Sequence, residues 1–199
     1  TFKEDNNMAN IDAAFGMRPV GTLSGAGNMM TNEYFIADNE ASAMYQGDAI
    51  IQQASNTGYV DVAAAGDETC IGVLNGVLID DHPTTGKPSF QNHYTQTNVT
   101  TGSIRAFVYD DPYMKFEIQG DSGTNSDVTD RHAVADLVNM GTTGGSGISL
   151  MELDMSDLAA TDGQVKIVGF STDPENNELG VEHMNYIVIW NEHQFKEEL

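Results

Sequence analysis

Basic residues are scarce in this chain. Eight Lys and Arg face 30 Asp and Glu, for a formal net charge of −22. Between Lys3 and Lys87 the sole basic side chain is Arg18. Phosphate-bearing surfaces are gripped by clustered Lys and Arg, so nucleic acid and anionic membranes are excluded as partners. Cysteine is nearly absent as well. Cys70 alone cannot close an internal disulfide, and no oxidised scaffold is expected. A reactive thiol needs a basic neighbour or a helix N-terminus to lower its pKa. Cys70 lies instead in TCIGVLNGV, the pattern of a buried strand. No apolar run is long enough to span a bilayer, no stretch has the order of a secretory signal, and no internal repeat is visible.

Signatures of catalysis are missing too. The glycine-rich Gly141–Gly147 (GTTGGSG) lacks the Lys-Ser/Thr ending of a phosphate loop, and it precedes a strand where such a loop would follow one. Asp80-Asp81-His82 and Asp110-Asp111 offer paired carboxylates, but the EF-hand spacing is absent. Asp110-Asp111-Pro112 reads as a turn. The five histidines, His82, His93, His132, His183 and His193, match no zinc spacing. His82 and His93 share one long loop and read as isolated surface side chains. Neither a G-x-S-x-G elbow nor a separable Ser-His-Asp set occurs. No catalytic residue, cofactor or metal ligand is assigned, and the chain reads as a non-enzyme.

What the sequence does contain is short apolar runs separated by turn chemistry. At 199 residues it is one domain, long enough to bury a core without staples. Asn75-Gly76, inside Cys70–Asp80, predicts a hairpin. Ser103–Tyr109 and Tyr113–Gln119 predict a strand pair about the turn at Asp110–Pro112. In the second of these, Met114, Phe116 and Ile118 face inward while Lys115, Glu117 and Gln119 face water. Val165–Phe170 and Met184–Trp190 predict two more strands, the last central and covered on both sides. Asp127–Met140 is the one helix candidate, with an apolar stripe at Ala133, Val134, Leu137 and Val138. Asp81–Thr101 predicts a long irregular loop, since Pro83, Gly86 and Pro88 oppose regular structure. The tail His193–Leu199 is charged and is expected to fray. The fold class is therefore mainly β, an antiparallel sandwich or barrel with one short helix and an extended N-terminal arm.

That arm is the least regular stretch. Residues 11–27, IDAAFGMRPVGTLSGAG, hold Phe15, Met17, Val20 and Leu23, yet show neither helical nor strand periodicity. Glycines and Pro19 break any helix. A non-periodic apolar segment must bury itself against something already folded, so residues 1–32 read as an arm (1–7 disordered) and 33–199 as a single β-rich domain.

The same stretch carries a resemblance. NIDAAFGMRPVGTLSGAG, followed by NEYFIA, YQGDAI, VYDDPYMKFEIQGD, GSGISLMELD and MNYIVIWNEHQF, resembles tailed-phage virion proteins of the marine-phage type, here placed with capsid decoration (cement) proteins. The resemblance runs from Met8 onward, and its motifs are structural rather than chemical. It implies a non-catalytic protein that assembles in the host cytoplasm onto the outer surface of a phage head. Its partners would be the major capsid protein and its own copies, as homotrimers. Acidity fits an outward position, away from packaged DNA. The expected capsid-binding arm is Phe15, Met17, Arg18, Pro19, Val20 and Leu23, with Arg18 pairing to an acidic group of the shell. The alternative is a receptor- or glycan-binding virion module on head or tail, for which Phe90 and Tyr94 of the long loop would be the interface.

Overall fold

The computed structural model describes residues 9–25, 27, 29–66, 69–159 and 161–196. The leader expected at residues 1–7 lies outside them, as do residues 197–199 of the tail. In chain order the strands are β1 (Arg18–Thr22), β2 (Asn32–Phe35), β3 (Met44–Tyr45), β4 (Ala49–Gln52), β5 (Val60–Val62), β6 (Cys70–Ile79), β7 (Ser89–Gln91), β8 (His93–Tyr94), β9 (Ile104–Tyr109) and β10 (Met114–Gln119). β11 (Val134–Ala135), β12 (Leu137–Val138), β13 (Glu152–Leu153), β14 (Val165–Phe170) and β15 (Asn185–Trp190) follow.

Two antiparallel sheets carry the fold. One runs β1-β10-β15-β14-β11 and the other β2-β9-β6-β4-β5, with β7 added to β6. Two small ribbons, β12-β13 and β3-β8, lie beside them. The protein is mainly β and forms a sandwich rather than a closed barrel. Between the sheets, Phe116, Tyr186, Val188 and Trp190 of the first pack with Cys70 and Val73 of the second. A second core covers the other face of the second sheet, where Ile71, Leu74 and Val77 meet Ile36, Met44 and Tyr94. β6 therefore sends alternate side chains into two apolar cores, which is why its sequence lacks polar alternation.

Several expectations change. β6 runs straight through Asn75-Gly76, because neither residue takes the positive φ that a tight hairpin turn requires. A register shift against β9 falls between Leu74 and Gly76 instead. A Cβ on Gly76 would stand 2.8 Å from the Phe90 ring and 2.9 Å from the Gln91 carbonyl, so the glycine permits close approach rather than a turn. β9 and β10 do not pair with each other. β9 joins β2 and β6, β10 joins β1 and β15, and residues 110–113 carry the chain from one sheet to the other.

The helix expected over 127–140 is one 3-10 turn, Val128–Asp130, followed by β11 and β12. Asp127 and Asp130 close a capping box around that turn. Val134 and Ala135 are then both buried against β14 and its neighbours, so the helical spacing is coincidental and tertiary pairing decides. The 81–101 excursion holds β7 and β8, since Ser89–Gln91 pairs with Val77–Ile79 once Pro88 is passed. The tail does not fray at His193, whose side chain is buried against Trp190, with ring centroids 5.9 Å apart. β15 is central, between β10 and β14, as its apolar run predicts.

Candidate interaction surface at the N-terminal edge

The face of β10 expected to be wet is covered. Glu117 and Gln119 are both buried, because residues 10–18 lie across them. Gln119 works as a clip: its Nε2 donates to the Ile11 carbonyl at 2.9 Å, and its Oε1 accepts from the Ala13 amide at 2.9 Å. Asn176 repeats the device, donating to the same Ile11 carbonyl at 2.8 Å and accepting from the Ile11 amide at 3.2 Å. Asn10 donates to the carbonyls of Glu178 and Glu182 and accepts from the Glu178 amide. The Asn10 side chain, both main-chain groups of Ile11 and the Ala13 amide thus find partners on the same domain.

Gly16 makes the next step possible. Its φ is +68°, and a Cβ there would stand 2.8 Å from the Gly47 carbonyl oxygen. That carbonyl accepts from the Met17 amide at 2.9 Å. Below it, the buried Asp48 carboxylate accepts from the Tyr45 amide at 2.7 Å, the Gly141 amide at 3.2 Å and the Ser149 hydroxyl at 2.5 Å. Burial pushes the Asp48 carboxyl up to about 6, against those three donors, which pull it down. Asp48 fastens the 45–48 turn to the 141–149 loop, and the N-terminal segment rests on both.

The expected arm residues divide into two groups. Met17 is 2% exposed and belongs to the central core, so it offers no surface to a partner. Arg18 pairs within the chain, its Nη2 donating to Glu117 at 2.6 Å, and its guanidinium lies 4.6 Å from the centre of the half-buried Phe15 ring. Within the chain, the acidic partner of Arg18 is Glu117, and the Arg18 side chain is still 55% exposed. Pro19 is half-buried in β1. Val20 and Leu23 point outward, 43% and 51% exposed. Phe15, Met17, Arg18 and Pro19 line a half-open cavity of about 250 Å³ together with Leu74, Tyr109 and Ile148.

β1 and β2 are the outer strands of the two sheets, each next to one member of the β9–β10 connection. The boundary expected at residue 32 therefore separates two edge strands of one sandwich. Pro19 removes a donor from β1 and a register shift interrupts it, devices that discourage open-ended strand addition. Exposed apolar side chains follow one another along this part of the chain, at Val20, Leu23, Met29, Met30 and Phe35, and Leu23 lies beside the exposed Tyr113, whose carbonyl accepts from the Leu23 amide at 3.0 Å.

The alternative loop interface splits. Phe90 is 62% exposed and tilts against Phe107 at 5.7 Å. Tyr94 is fully buried in the second core, its hydroxyl donating to the Glu40 carbonyl at 3.0 Å, so it is not a surface residue. β8 brings it inward, and the irregular loop predicted there hid that alternation. His82 accepts from the Thr84 amide, and His93 stacks near Tyr45 with centroids 6.0 Å apart. Asp110 accepts from Asn32 and from the Tyr34 hydroxyl, while Asp111 accepts from the Tyr113 amide, so this acidic pair serves the turn.

Among the described residues no helix is long and apolar enough to cross a membrane. Set against family models, curated proteins and solved structures, the chain matches none of them.

Proposed function

We propose that this chain is a capsid decoration protein that binds the outer surface of a phage head and braces contacts between major capsid protein subunits without catalysis. The observation that carries the reading is the exposure of Val20, Leu23, Met29 and Met30, four apolar side chains within eleven residues, on a molecule of net charge −22. Clustered exposed apolar side chains favour a protein partner, and the surrounding acidity opposes contact with DNA. The sequence resemblance, the mainly β sandwich and the edge strands blunted against open-ended pairing agree with an element that adds interface to a shell. Many such contacts act multivalently. Copies would associate as homotrimers at local three-fold positions of the virion surface.

The test uses exposed positions only. A Leu23→Asp/Met30→Asp variant is expected to keep its melting temperature and to lose at least about 30-fold in affinity for phage heads stripped of their decoration layer, the effect of removing an interface hot spot. Co-sedimentation measures this. Undiminished binding by a folded variant removes these apolar side chains from the interface, and binding to host cells in place of heads selects the receptor-binding alternative.

A further inference from the structure

We infer that Asp12, Glu152 and His183 form a site for one divalent transition-metal ion of the Zn²⁺ or Mn²⁺ class, fastening the N-terminal segment to the sandwich. Among the described residues, these side chains each offer a donor atom, all within 4.8 Å of one another. They arrive from three distant parts of the chain: the segment before β1, strand β13, and the turn before β15. The mixture of one imidazole and two carboxylates suits a transition-metal ion better than Ca²⁺, which takes oxygen alone.

His183 points to the ligand. Its Nδ1 is sealed from solvent and has no hydrogen-bond partner among the described residues. An unpartnered buried nitrogen is costly. The atom it faces is Asp12 Oδ1, 3.9 Å away, which is too far for a hydrogen bond. It suits two ligands of one ion, since donors each about 2.1 Å from a shared Zn²⁺ stand roughly 3–4 Å apart.

The surrounding bonds hold the three groups in place. Gln119 and Asn176 clip the backbone on either side of Asp12, and the same two amides donate to the His183 carbonyl at 3.2 and 2.8 Å. The main chain of two ligand residues is thus fixed by one pair of buried side chains. Asn139 orients the third, donating to Glu152 Oε2 at 2.9 Å. Such outer partners aim ligands at a metal. Asp12 is 72% exposed, leaving the remaining coordination positions open to water.

The inference is independent of the decoration reading. Its test is calorimetric titration of ZnCl₂ into the full chain after chelator treatment, with thermal melts alongside. One Zn²⁺ per chain should bind saturably, and an excess of about 100 times Kd should raise Tm by about 5–10 °C. Asp12→Asn and His183→Asn should each weaken binding by at least roughly 10- to 100-fold. Asn suits position 183, because His183 has φ +59° and Asn tolerates that region. Asp12 makes no side-chain hydrogen bond that its loss would break among the described residues, so Asp12→Asn should leave the metal-free Tm unchanged. Asn139→Ala should weaken binding less, and Asp157→Asn not at all. Absence of saturable binding overturns the site, and so does binding that survives either ligand substitution.

Discussion

The two sheets are covered on their outer faces in opposite ways. Over the second sheet lies an apolar layer, in which Ile36, Met44 and Tyr94 pack on β6 and β9. Over β10 of the first lies a polar layer, in which residues 10–13 are held by Gln119, Asn176 and Asn10 through directed hydrogen bonds. Apolar cover gains its free energy from area removed from water and tolerates small shifts. Polar cover gains little net per bond, but each broken bond strands a buried partner. The first kind secures the fold. The second fixes a backbone path, and that is the kind of cover suited to presenting Val20 and Leu23 at a defined edge.

The largest expected effect tests the apolar cover. Tyr94→Ala empties a fully buried site and should destabilise the protein by about 3–5 kcal/mol, as large aromatic truncations do. Denaturant titration reads this directly. Hydrogen exchange at residues 11 and 13 should stay slow under native conditions, because their acceptors, Asn176 in the loop between β14 and β15 and Gln119 on β10, lie away from the second core. A loss below about 1 kcal/mol would show that Tyr94 is not part of a packed layer.

The apolar core between the sheets was half legible in the sequence, and the polar cover was not. β15 and β10 announced themselves through β-branched and aromatic runs, and their inward residues Met114, Phe116 and Ile118 are buried. Those runs reflect burial, which composition records. Gln119 and Asn176 carry no such mark, since a buried amide and a solvated one look alike in a sequence. The error at β10 follows from this: alternation assigned Glu117 and Gln119 to water, and only the path of residues 10–18 reverses it. The helix at 127–140 failed for a related reason. Val134, Leu137 and Val138, spaced as on a helix, also serve two short strands when β14 and β13 are available to pair with them. Val20 and Leu23 stood out in the sequence as apolar residues without periodicity, and the structure leaves both exposed. Met17 was drawn in with them, because nothing in the sequence shows that Gly16 turns the chain inward just before it. The Asp12, Glu152 and His183 cluster was invisible, its members being separated by 140 and 31 positions and matching no local spacing.

Acidity provides the next test, because an ionisable group lies beneath the polar cover. Asp48 has its carboxyl pushed up to about 6 by burial, from an ordinary value of 3.8. The folded state therefore holds this proton more tightly, and the resulting stability is complete below about pH 4 and lost as pH rises through 6, up to about 3 kcal/mol. His193 acts in the opposite sense. Burial holds its imidazole down to about 4 from 6.5, so its contribution is present above pH 6.5 and lost as pH falls toward 4. The two slopes oppose each other across the same window. Asp48→Asn should gain on the wild type as pH rises from 4 to 7, and His193→Asn should gain on it as pH falls over that range. Melting curves at four or five pH values separate the two, and curves parallel to the wild type for both variants would remove these groups from the balance.

The smallest of these effects is the most discriminating. Gln119→Ala removes a side chain that is fully buried yet makes no contribution to either apolar core. It leaves the Ile11 carbonyl with Asn176 as its remaining partner and the Ala13 amide with none among the bonds described. The expected cost is about 1–3 kcal/mol, that of stranded polar groups rather than of a lost core residue. Its position matters more than its size. Exchange should quicken at Ile11 and Ala13, whereas β6 and β9 should open only with global unfolding. The variant should also bind Zn²⁺ more weakly, because the same amide steadies the main chain at Asp12 and at His183. If quickened exchange instead spreads evenly through β6 and β9, the polar layer is one cooperative unit with the core, and the contrast between the two covers fails.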